Sequence, residues 1–237
     1  MTDILHTLQR GIIVSAQATH GEPLNRPEYL CALAESALNG GACAVRMAQA
    51  ENIQYFKERH PTVPVIGITK PEIIPENAHQ LVYITPTLHD VETLAPYCDI
   101  IAMDATMRPR PGGEKLDEIV AQARKLYPDR LLMADVANLP EGIRAEKLGF
   151  DLISTTLSGY TVESKHVVSG PGPHGPDFEL LADLVKLVQK PIVLEGRVWH
   201  PEEVTRAFEM GAYAVVIGSA VTRPHEITRR FVNAVPR

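Results

Sequence analysis

Aromatic residues are scarce in this chain. Phe, Trp and Tyr together make up 5% of the sequence, whereas 45% of the residues are hydrophobic. A core with so few rings must be aliphatic, and Ala, Val, Ile and Leu supply it. Strands of a parallel sheet are buried on both faces and have this aliphatic composition. The composition therefore favours an α/β protein with a parallel sheet.

Basic residues are fewer than acidic ones, at 23 against 29, and long apolar runs are lacking. The formal net charge is −6, which argues against a general nucleic-acid binder, because such a protein carries a basic face. No apolar run reaches the ~18 residues that are needed to cross a membrane. The N-terminus lacks the basic-then-apolar pattern of a signal peptide. We expect a cytoplasmic protein without nucleic-acid or membrane partners, although one positive pocket could still bind an anionic small molecule.

Cysteine is rare, and its distribution indicates neither disulfides nor a metal site. The three cysteines, Cys31, Cys43 and Cys98, form an odd set without the close spacing of metal ligands. Reduced thiols in a cytosolic protein are the plain interpretation. The sequence therefore predicts no metal site.

An apolar run that ends in a polar residue recurs about eight times along the chain. Amphipathic segments of helical period alternate with these runs, which is typical of right-handed βαβ units. A length of 237 residues suits one (β/α)8 barrel, which typically takes ~250 residues. The predicted strands are Gly11–Gln17, Ala42–Met47, Val65–Lys70, Ile100–Ala105, Leu131–Val136, Leu152–Leu157, Ile192–Arg197 and Ala214–Gly218. We predict a single (β/α)8 TIM barrel over residues 1–237.

The predicted helices fill the intervals between these strands. They are Pro27–Asn39, Asn52–His60, Asp90–Tyr97, Glu114–Leu126, Pro140–Leu148, Asp177–Val188, Pro201–Met210 and Ile227–Ala234. An open, doubly wound sheet would show the same alternation. It is disfavoured because no Gly-x-Gly-x-x-Gly follows the first strand, and because the polar ends occur on all strands rather than at one switch point.

Two irregular stretches interrupt the pattern. Leu81–Thr85 is a ninth strand candidate, and we interpret Glu72–Thr87 as a long excursion on the catalytic rim that could cover the pocket. Ser158–Pro176 is a second long loop, and its Lys165–Pro176 part is rich in Pro and Gly. Loops of this length in a compact domain are usually functional or mobile. A linker between two domains is the alternative, but the βα pattern resumes with the same period after it.

The strand ends supply the candidate active site, because a parallel barrel presents its chemistry at the C-terminal rim. Lys70 and Glu195 each end an apolar strand, and partial burial would lower the pKa of the lysine and make it a usable base. Metal catalysis is not favoured, because no array of metal ligands occurs at the strand ends. Other polar residues at the rim are Gln17, Arg46, Asp104, Asp135, Thr155 and Thr156, and all of them except Asp104 are candidate substrate contacts. A Lys and a Glu that face one pocket predict proton transfer on a small molecule.

A phosphate site is predicted in the loops after strands seven and eight. Barrels often bind a phosphate there through backbone amides, and a glycine allows the close approach. A following helix N-terminus adds free N–H groups. The candidates are Gly196, Arg197, Gly218, Ser219 and Arg223. Alternatively, Gly218 only makes a tight turn and either arginine is an ordinary surface residue.

Several strings of residues resemble one family, N-acetylmannosamine-6-phosphate 2-epimerase. The resemblance runs over essentially the whole chain, and its most specific part is the string at residues 154–161. The strings are Val-Ser-Ala-Gln at 14–17, Ile-Gly-Ile-Thr-Lys at 66–70, Tyr-Ile-Thr-Pro-Thr at 83–87, Ser-Thr-Thr-Leu-Ser-Gly-Tyr-Thr at 154–161, Leu-Glu-Gly-Arg at 194–197 and Gly-Ala-Tyr-Ala-Val-Val-Ile-Gly-Ser-Ala at 211–220.

The resemblance implies a function and a set of roles. It implies conversion of N-acetylmannosamine 6-phosphate to N-acetylglucosamine 6-phosphate in bacterial sialic acid catabolism, without metal or cofactor. Lys70 would be the base, and Glu195 would lie opposite as the partner acid or stabiliser. The sugar would be held by Gln17, Arg46 and Asp135, and the phosphate by Gly196, Gly218, Ser219 and Arg223. Whether one base or two move the proton stays open at this level.

Two other functions compete with the epimerase. Lys70 could form a Schiff base with a keto sugar phosphate in an aldolase-type reaction. The chain could also be a sugar-phosphate sensor without turnover. Barrels of this kind often pair, which favours a homodimer.

Overall fold

Eight parallel strands, hydrogen-bonded in chain order, close into a barrel in the computed structural model of the chain. The structure describes residues 2–164 and 175–236. The strands are β1 (Ile12–Ala16), β2 (Ala44–Ala48), β3 (Val65–Ile68), β4 (Ile100–Asp104), β5 (Leu131–Asp135), β6 (Leu152–Ser154), β7 (Ile192–Glu195) and β8 (Ala214–Ile217). Pairing of β1 with β8 closes the barrel. The predicted (β/α)8 barrel is confirmed, and the open sheet is excluded.

The helices form the outer layer. They are α1 (Thr2–Leu8), α2 (Pro27–Asn39), α3 (Ala50–Lys57), α4 (Leu88–Leu94), α5 (Leu116–Leu126), α6 (Leu139–Leu148), α7 (Phe178–Leu187), α8 (Pro201–Glu209), α9 (Ser219–Thr222) and α10 (Pro224–Asn233). The eight predicted helices correspond to α2–α8 and α10. The list of predicted helices lacks α1 and the single turn α9, although the phosphate prediction expected a helix N-terminus after Gly218.

The core has two layers, one inside the barrel and one between the strands and the helices. Adjacent residues of a strand point to opposite faces, so Ile66 packs in the barrel interior while Val65 packs towards the helices. Both are fully buried. Leu8 at the end of α1 is also fully buried and belongs to the interior layer. This double burial explains why the strands are continuous apolar runs without alternation.

The segment at 81–85 is not a strand, so the ninth strand candidate is wrong. It crosses between β3 and β4 just beyond their last paired residues. The amide of Thr85 donates to the carbonyl of Thr69 over 3.1 Å, and the amide of Asp104 donates to the carbonyl of Ile84 over 3.1 Å. The predicted excursion after β3 therefore exists, and it inserts Tyr83 and Ile84 into the barrel mouth.

Two buried arginines hold this excursion in place. The guanidinium of Arg108 pairs with Asp104 and donates to the carbonyl of Ala78 over 2.6 Å. The guanidinium of Arg110 donates to the carbonyl of Pro86 over 3.0 Å. The charge of Asp104 is thus used to fasten the loop and does not face the pocket.

The predicted Lys165–Pro176 loop lies outside the described residues except for its last two positions. Within the described ranges, no helix is both long enough and apolar enough to cross a bilayer.

Candidate active site

A cavity of about 590 Å³ opens at the C-terminal end of the strands. This is the rim at which barrels of this type carry their catalytic residues. Ten of the residues predicted from the sequence line the cavity: Gln17, Arg46, Lys70, Thr156, Glu195, Gly196, Arg197, Gly218, Ser219 and Arg223. The strand ends thus converge as expected, and the roles of these residues stay predictions.

Two predicted substrate contacts, Asp135 and Thr155, do not line the cavity. Asp135 is fully buried beneath it and binds Arg46. The hydroxyl of Thr155 donates to the carbonyl of Glu195 over 2.9 Å and accepts from its amide over 3.0 Å. Both side chains support residues that line the wall, and their contact with a substrate stays a prediction.

Lys70 and Glu195 face the cavity from opposite sides. Lys70 follows β3 and Glu195 ends β7, and these strands lie across the eight-stranded barrel from each other. The ammonium of Lys70 donates to Oε1 of Gln17 over 2.8 Å, and Nε2 of Gln17 donates to Oγ of Ser15 over 2.8 Å. Among the described residues, Lys70 forms no ion pair, so its charge is oriented by an amide and faces open space.

The environment of Lys70 makes it a usable base near neutral pH. Burial, together with the positive charges of Arg46 and Arg223, lowers the pKa of its ammonium from 10.5 to about 8. Glu195 and Asp135 oppose this shift. The lowered pKa leaves a substantial neutral fraction at physiological pH, as a general base requires.

Gln49 fixes the main chain at Lys70, and the sequence analysis missed it. Its Nε2 donates to the carbonyl of Lys70 over 2.6 Å, and its amide donates to the carbonyl of Ile68 over 2.9 Å. Its φ is 73°, a left-handed value that is unusual for a residue with a side chain. Strained residues of this kind cluster at functional sites.

Arg46 links two carboxylates at the floor of the cavity. Its guanidinium lies 2.6 Å from Oδ2 of Asp135 and 2.7 Å from Oε2 of Glu195, and its side chain is 1% exposed. The hydroxyl of Thr156 lies 2.7 Å from Oδ1 of Asp135 and 3.1 Å from Oε2 of Glu195. This network holds the carboxylate of Glu195 in one orientation towards the cavity.

Burial and charge oppose each other in this network. Burial raises the pKa of Glu195, although Arg46 favours its ionised form. Burial by itself would lower the pKa of Arg46, but the charges of Asp135 and Glu195 outweigh it and keep that pKa raised. Glu195 can therefore hold a proton at a higher pH than an ordinary glutamate.

The loops after β7 and β8 form one end of the cavity. Gly196 has a φ of +109°, a conformation that side chains rarely adopt. Gly218 precedes α9, whose first N–H groups have no acceptor within the helix. The hydroxyl of Thr222 donates to the carbonyl of Ser15 over 2.7 Å and fastens α9 to β1. Backbone amides and glycines thus surround this end, as an anion site requires.

Arginines surround the same end. Arg223 pairs with Glu22 at 3.4 Å, and Arg229 of α10 pairs with Glu226 at 3.1 Å. Arg197 donates to the carbonyls of Gly175 and Ser158, and these hydrogen bonds hold the segments that flank the loop after β6. All three line the cavity together with Glu226, so three guanidinium groups and one carboxylate contribute charge to its lining.

Several cavity residues were not predicted as site residues. Tyr83, Ile84, Tyr160, Trp199 and Arg229 line the wall. The family resemblance could have indicated Tyr83, Ile84 and Tyr160, because these residues lie in its strings at 83–87 and 154–161. Burial raises the pKa of Tyr83, so its hydroxyl stays neutral and can donate. No sequence pattern indicated Arg229, because it lies on a strongly charged helix of the kind that is usually exposed to solvent.

Comparisons with known proteins find one family over nearly the whole chain. Residues 30–237 match the NanE family model, which describes an N-acetylmannosamine-6-phosphate epimerase. The chain is 47% identical to a relative from Caldanaerobacter subterraneus that bears the name N-acetylmannosamine-6-phosphate 2-epimerase, over 98% of this chain and 94% of the relative.

Solved structures agree as well. The N-acetylmannosamine-6-phosphate 2-epimerase from Clostridium perfringens superposes with a TM-score of 0.88 at 43% identity, over 98% of this chain and 96% of that chain. A thiamine phosphate pyrophosphorylase from Pyrococcus furiosus superposes with a TM-score of 0.59 at 16% identity, over 95% of this chain and 93% of that chain, and is similar in fold alone.

Proposed function

Since the chain belongs to the family of N-acetylmannosamine-6-phosphate 2-epimerases, it interconverts N-acetylmannosamine 6-phosphate and N-acetylglucosamine 6-phosphate, and we propose that Lys70 and Glu195 move the C2 proton. The observation that carries this proposal is their placement on opposite sides of one cavity. Inversion at C2 removes a proton from one face and returns a proton to the other. Two proton carriers that face each other match this requirement.

The reaction begins with opening of the sugar ring, which exposes the C1 carbonyl next to C2. Neutral Lys70 then takes the C2 proton, and an enolate forms at C1 and C2. The guanidinium of Arg46, a fixed positive charge at the cavity floor, stabilises the enolate. Protonated Glu195 donates a proton to the opposite face of C2. The products are the inverted sugar, protonated Lys70 and ionised Glu195, and exchange with solvent restores the starting state.

The phosphate binds at the end formed by the β7 and β8 loops. Its oxygens accept hydrogen bonds from amides near Gly196, Gly218 and Ser219, and Arg223 supplies a charged donor. The support is the glycine backbone, the free N–H groups of α9 and the nearby arginines. With one end of the sugar fixed there, C2 lies between Lys70 and Glu195.

We also propose a cytoplasmic homodimer that acts in sialic acid and amino-sugar catabolism. A charged sugar phosphate does not cross a bilayer unaided and is retained where it is formed, which supports a reaction inside the cell. Phe231, Val232 and Val235, at the C-terminal end of the chain, are 62–74% exposed, which is typical of an interface. Sedimentation velocity would give the mass, and a monomer at micromolar concentration would contradict the dimer.

Proton NMR in D2O tests the function directly. Purified protein is incubated with N-acetylmannosamine 6-phosphate, and the C2 proton of both sugars is followed against a blank without protein. We expect N-acetylglucosamine 6-phosphate to form with deuterium at C2, because the proton returned by Glu195 has equilibrated with solvent.

The other outcomes of this experiment each reject a specific statement. Product that keeps its original C2 proton would reject the return of the proton from Glu195 and leave Lys70 as the one carrier. Absence of both product and exchange would reject the epimerase itself.

The pH dependence of kcat/KM is a separate prediction. The productive enzyme carries one proton on the Lys70–Glu195 pair. Above pH about 8 this proton is lost and activity falls, because no acid remains. Below the raised pKa of Glu195 a second proton binds and activity falls, because no base remains. We expect a bell-shaped profile, and a plateau above pH 8 would contradict the part assigned to Glu195.

A further inference from the structure

Three metal-binding side chains from distant positions converge on the outer face of the barrel. Cys31 and Glu35 lie four residues apart on α2, and His60 follows the end of α3. Oε1 of Glu35 lies 3.4 Å from Sγ of Cys31 and 2.9 Å from Nε2 of His60. The three donor atoms all lie within 4.8 Å of one another. None of the three residues lines the catalytic cavity.

The cluster is held in place by the fold. Residues four apart lie on the same face of a helix, so Cys31 and Glu35 point in one direction. The imidazole of His60 stacks on the ring of Phe56, with centroids 4.8 Å apart, and Phe56 is fully buried. Cys31 is buried, whereas Glu35 and His60 are partly exposed, which leaves a path for an ion and water. The donors are thus ordered and accessible.

We propose that Sγ of Cys31, Oε1 of Glu35 and Nε2 of His60 bind one zinc ion, with water as the fourth ligand. Zinc binds sulfur at ~2.3 Å, and nitrogen and oxygen at ~2.0–2.2 Å, in a tetrahedron. Neighbouring ligands of such a tetrahedron lie roughly 3.3–3.6 Å apart. Oε1 of Glu35, at 3.4 Å from the sulfur and 2.9 Å from the nitrogen, is already near this spacing, so small side-chain rotations bring the three donors around one centre. The thiol loses its proton to solvent, the imidazole proton of His60 moves from Nε2 to Nδ1, and zinc bonds replace the two hydrogen bonds to Glu35.

The donor set selects the class of metal. Thiolate and imidazole favour zinc over magnesium or calcium, which prefer oxygen ligands. Arg59, the next residue to His60, is the nearby cation that opposes binding. Its charge acts on Cys31 and Glu35, while its guanidinium is held 3.6 Å above the ring of Tyr55 and donates to the carbonyl of Tyr55.

The site would act as a clamp and not as part of catalysis. A bound ion joins α2 to the segment after α3, and a ligand that binds the folded state raises its stability. Turnover of the sugar phosphate should not change, because the cluster does not touch the cavity. The sequence predicted no metal site, because the three residues lack a recognisable spacing.

Cobalt(II), which reports thiolate coordination by its absorption, tests this proposal. Metal-free protein is titrated with cobalt(II), then with zinc(II), alongside Cys31→Ser, His60→Gln and the control Cys43→Ser, which removes a cysteine outside the cluster. We expect one cobalt per chain, a thiolate-to-cobalt band that zinc abolishes, and a Tm that rises with zinc. Both cluster variants should weaken binding by at least about tenfold, as loss of one ligand implies.

Two results would overturn the proposal. One is the lack of a thiolate band in the unmodified protein. The other is equal metal binding in Cys31→Ser and in the unmodified protein, which would indicate surface adsorption. Turnover of the sugar phosphate serves as the folding control for each variant, and His60→Gln provides a second reading if Cys31→Ser is unstable.

Discussion

Replacement of Lys70 by Ala should lower kcat for epimerisation by about 10²- to 10⁴-fold, the usual contribution of a general base. The reason is that Lys70 faces open space in the cavity with its pKa lowered to about 8. Both sugars are followed by proton NMR in D2O. The variant should lose exchange at C2 of the epimer whose proton faces Lys70, while Glu195 still exchanges the proton of the other epimer.

Glu195→Gln provides the mirror-image control for this experiment. This variant should lose exchange of the C2 proton in the epimer whose C2 proton faces Glu195, and it should keep exchange of the C2 proton in the other epimer. Lys115→Ala, which removes an exposed lysine from the surface, should leave C2 exchange of both epimers unchanged. Full epimerisation by Lys70→Ala would contradict the assignment of the base.

Lys70→Ala alone does not separate proton transfer from the rival Schiff-base chemistry, because both need the lysine. Borohydride is therefore added to the unmodified protein with substrate, and the mass of the chain is measured. We expect no reduced adduct, because the reaction proceeds through an enolate and not through an imine. An adduct at Lys70 would favour the aldolase-type reaction.

Replacement of Arg46 by Met should lower the free energy of unfolding by about 3–5 kcal/mol, the range for breaking a buried ion pair. Arg46 is 1% exposed and Asp135 is fully buried. Without the guanidinium, the carboxylate of Asp135 stays buried without its charged partner. Urea unfolding followed by circular dichroism gives the difference, provided that the slope of the transition is unchanged.

The double variant Arg46→Met with Asp135→Asn tests the cause of this loss. Because it also removes the buried charge, it should recover a substantial part of the lost stability. Arg223→Met is the matched control, since it removes an arginine from the cavity rim that is 26% exposed. Equal losses in the Arg46 and Arg223 variants, or no recovery in the double variant, would contradict the account.

Much of the barrel could be predicted from residue patterns. The eight apolar runs that end in polar residues correspond to β1–β8, because strands buried on both faces must be apolar along their length. The wrong prediction of a strand at 81–85 also arises from the burial of apolar residues. Leu81–Thr85 is apolar because Val82 and Ile84 are buried at the barrel mouth, and burial by itself does not distinguish a strand from a packed loop.

The candidate site could be predicted only in part. Residues at strand ends meet at one rim, so Lys70 and Glu195 could be assigned to the cavity from their positions. The sequence could not show which of these residues line the cavity and which lie behind its wall, as Asp135 and Thr155 do. Gln49 and Arg229 reach the site through a strained turn and a surface helix, which no local pattern indicates.

The sequence by itself determined the barrel, the identity of the polar residues at its rim and the family resemblance. These follow from period and position, which are local properties of the chain. The tertiary structure alone decided that Arg46 joins Asp135 to Glu195, that the loop at 81–85 enters the barrel mouth, and that Cys31 meets His60. These are contacts between distant segments, and their distances exist only after the chain has folded.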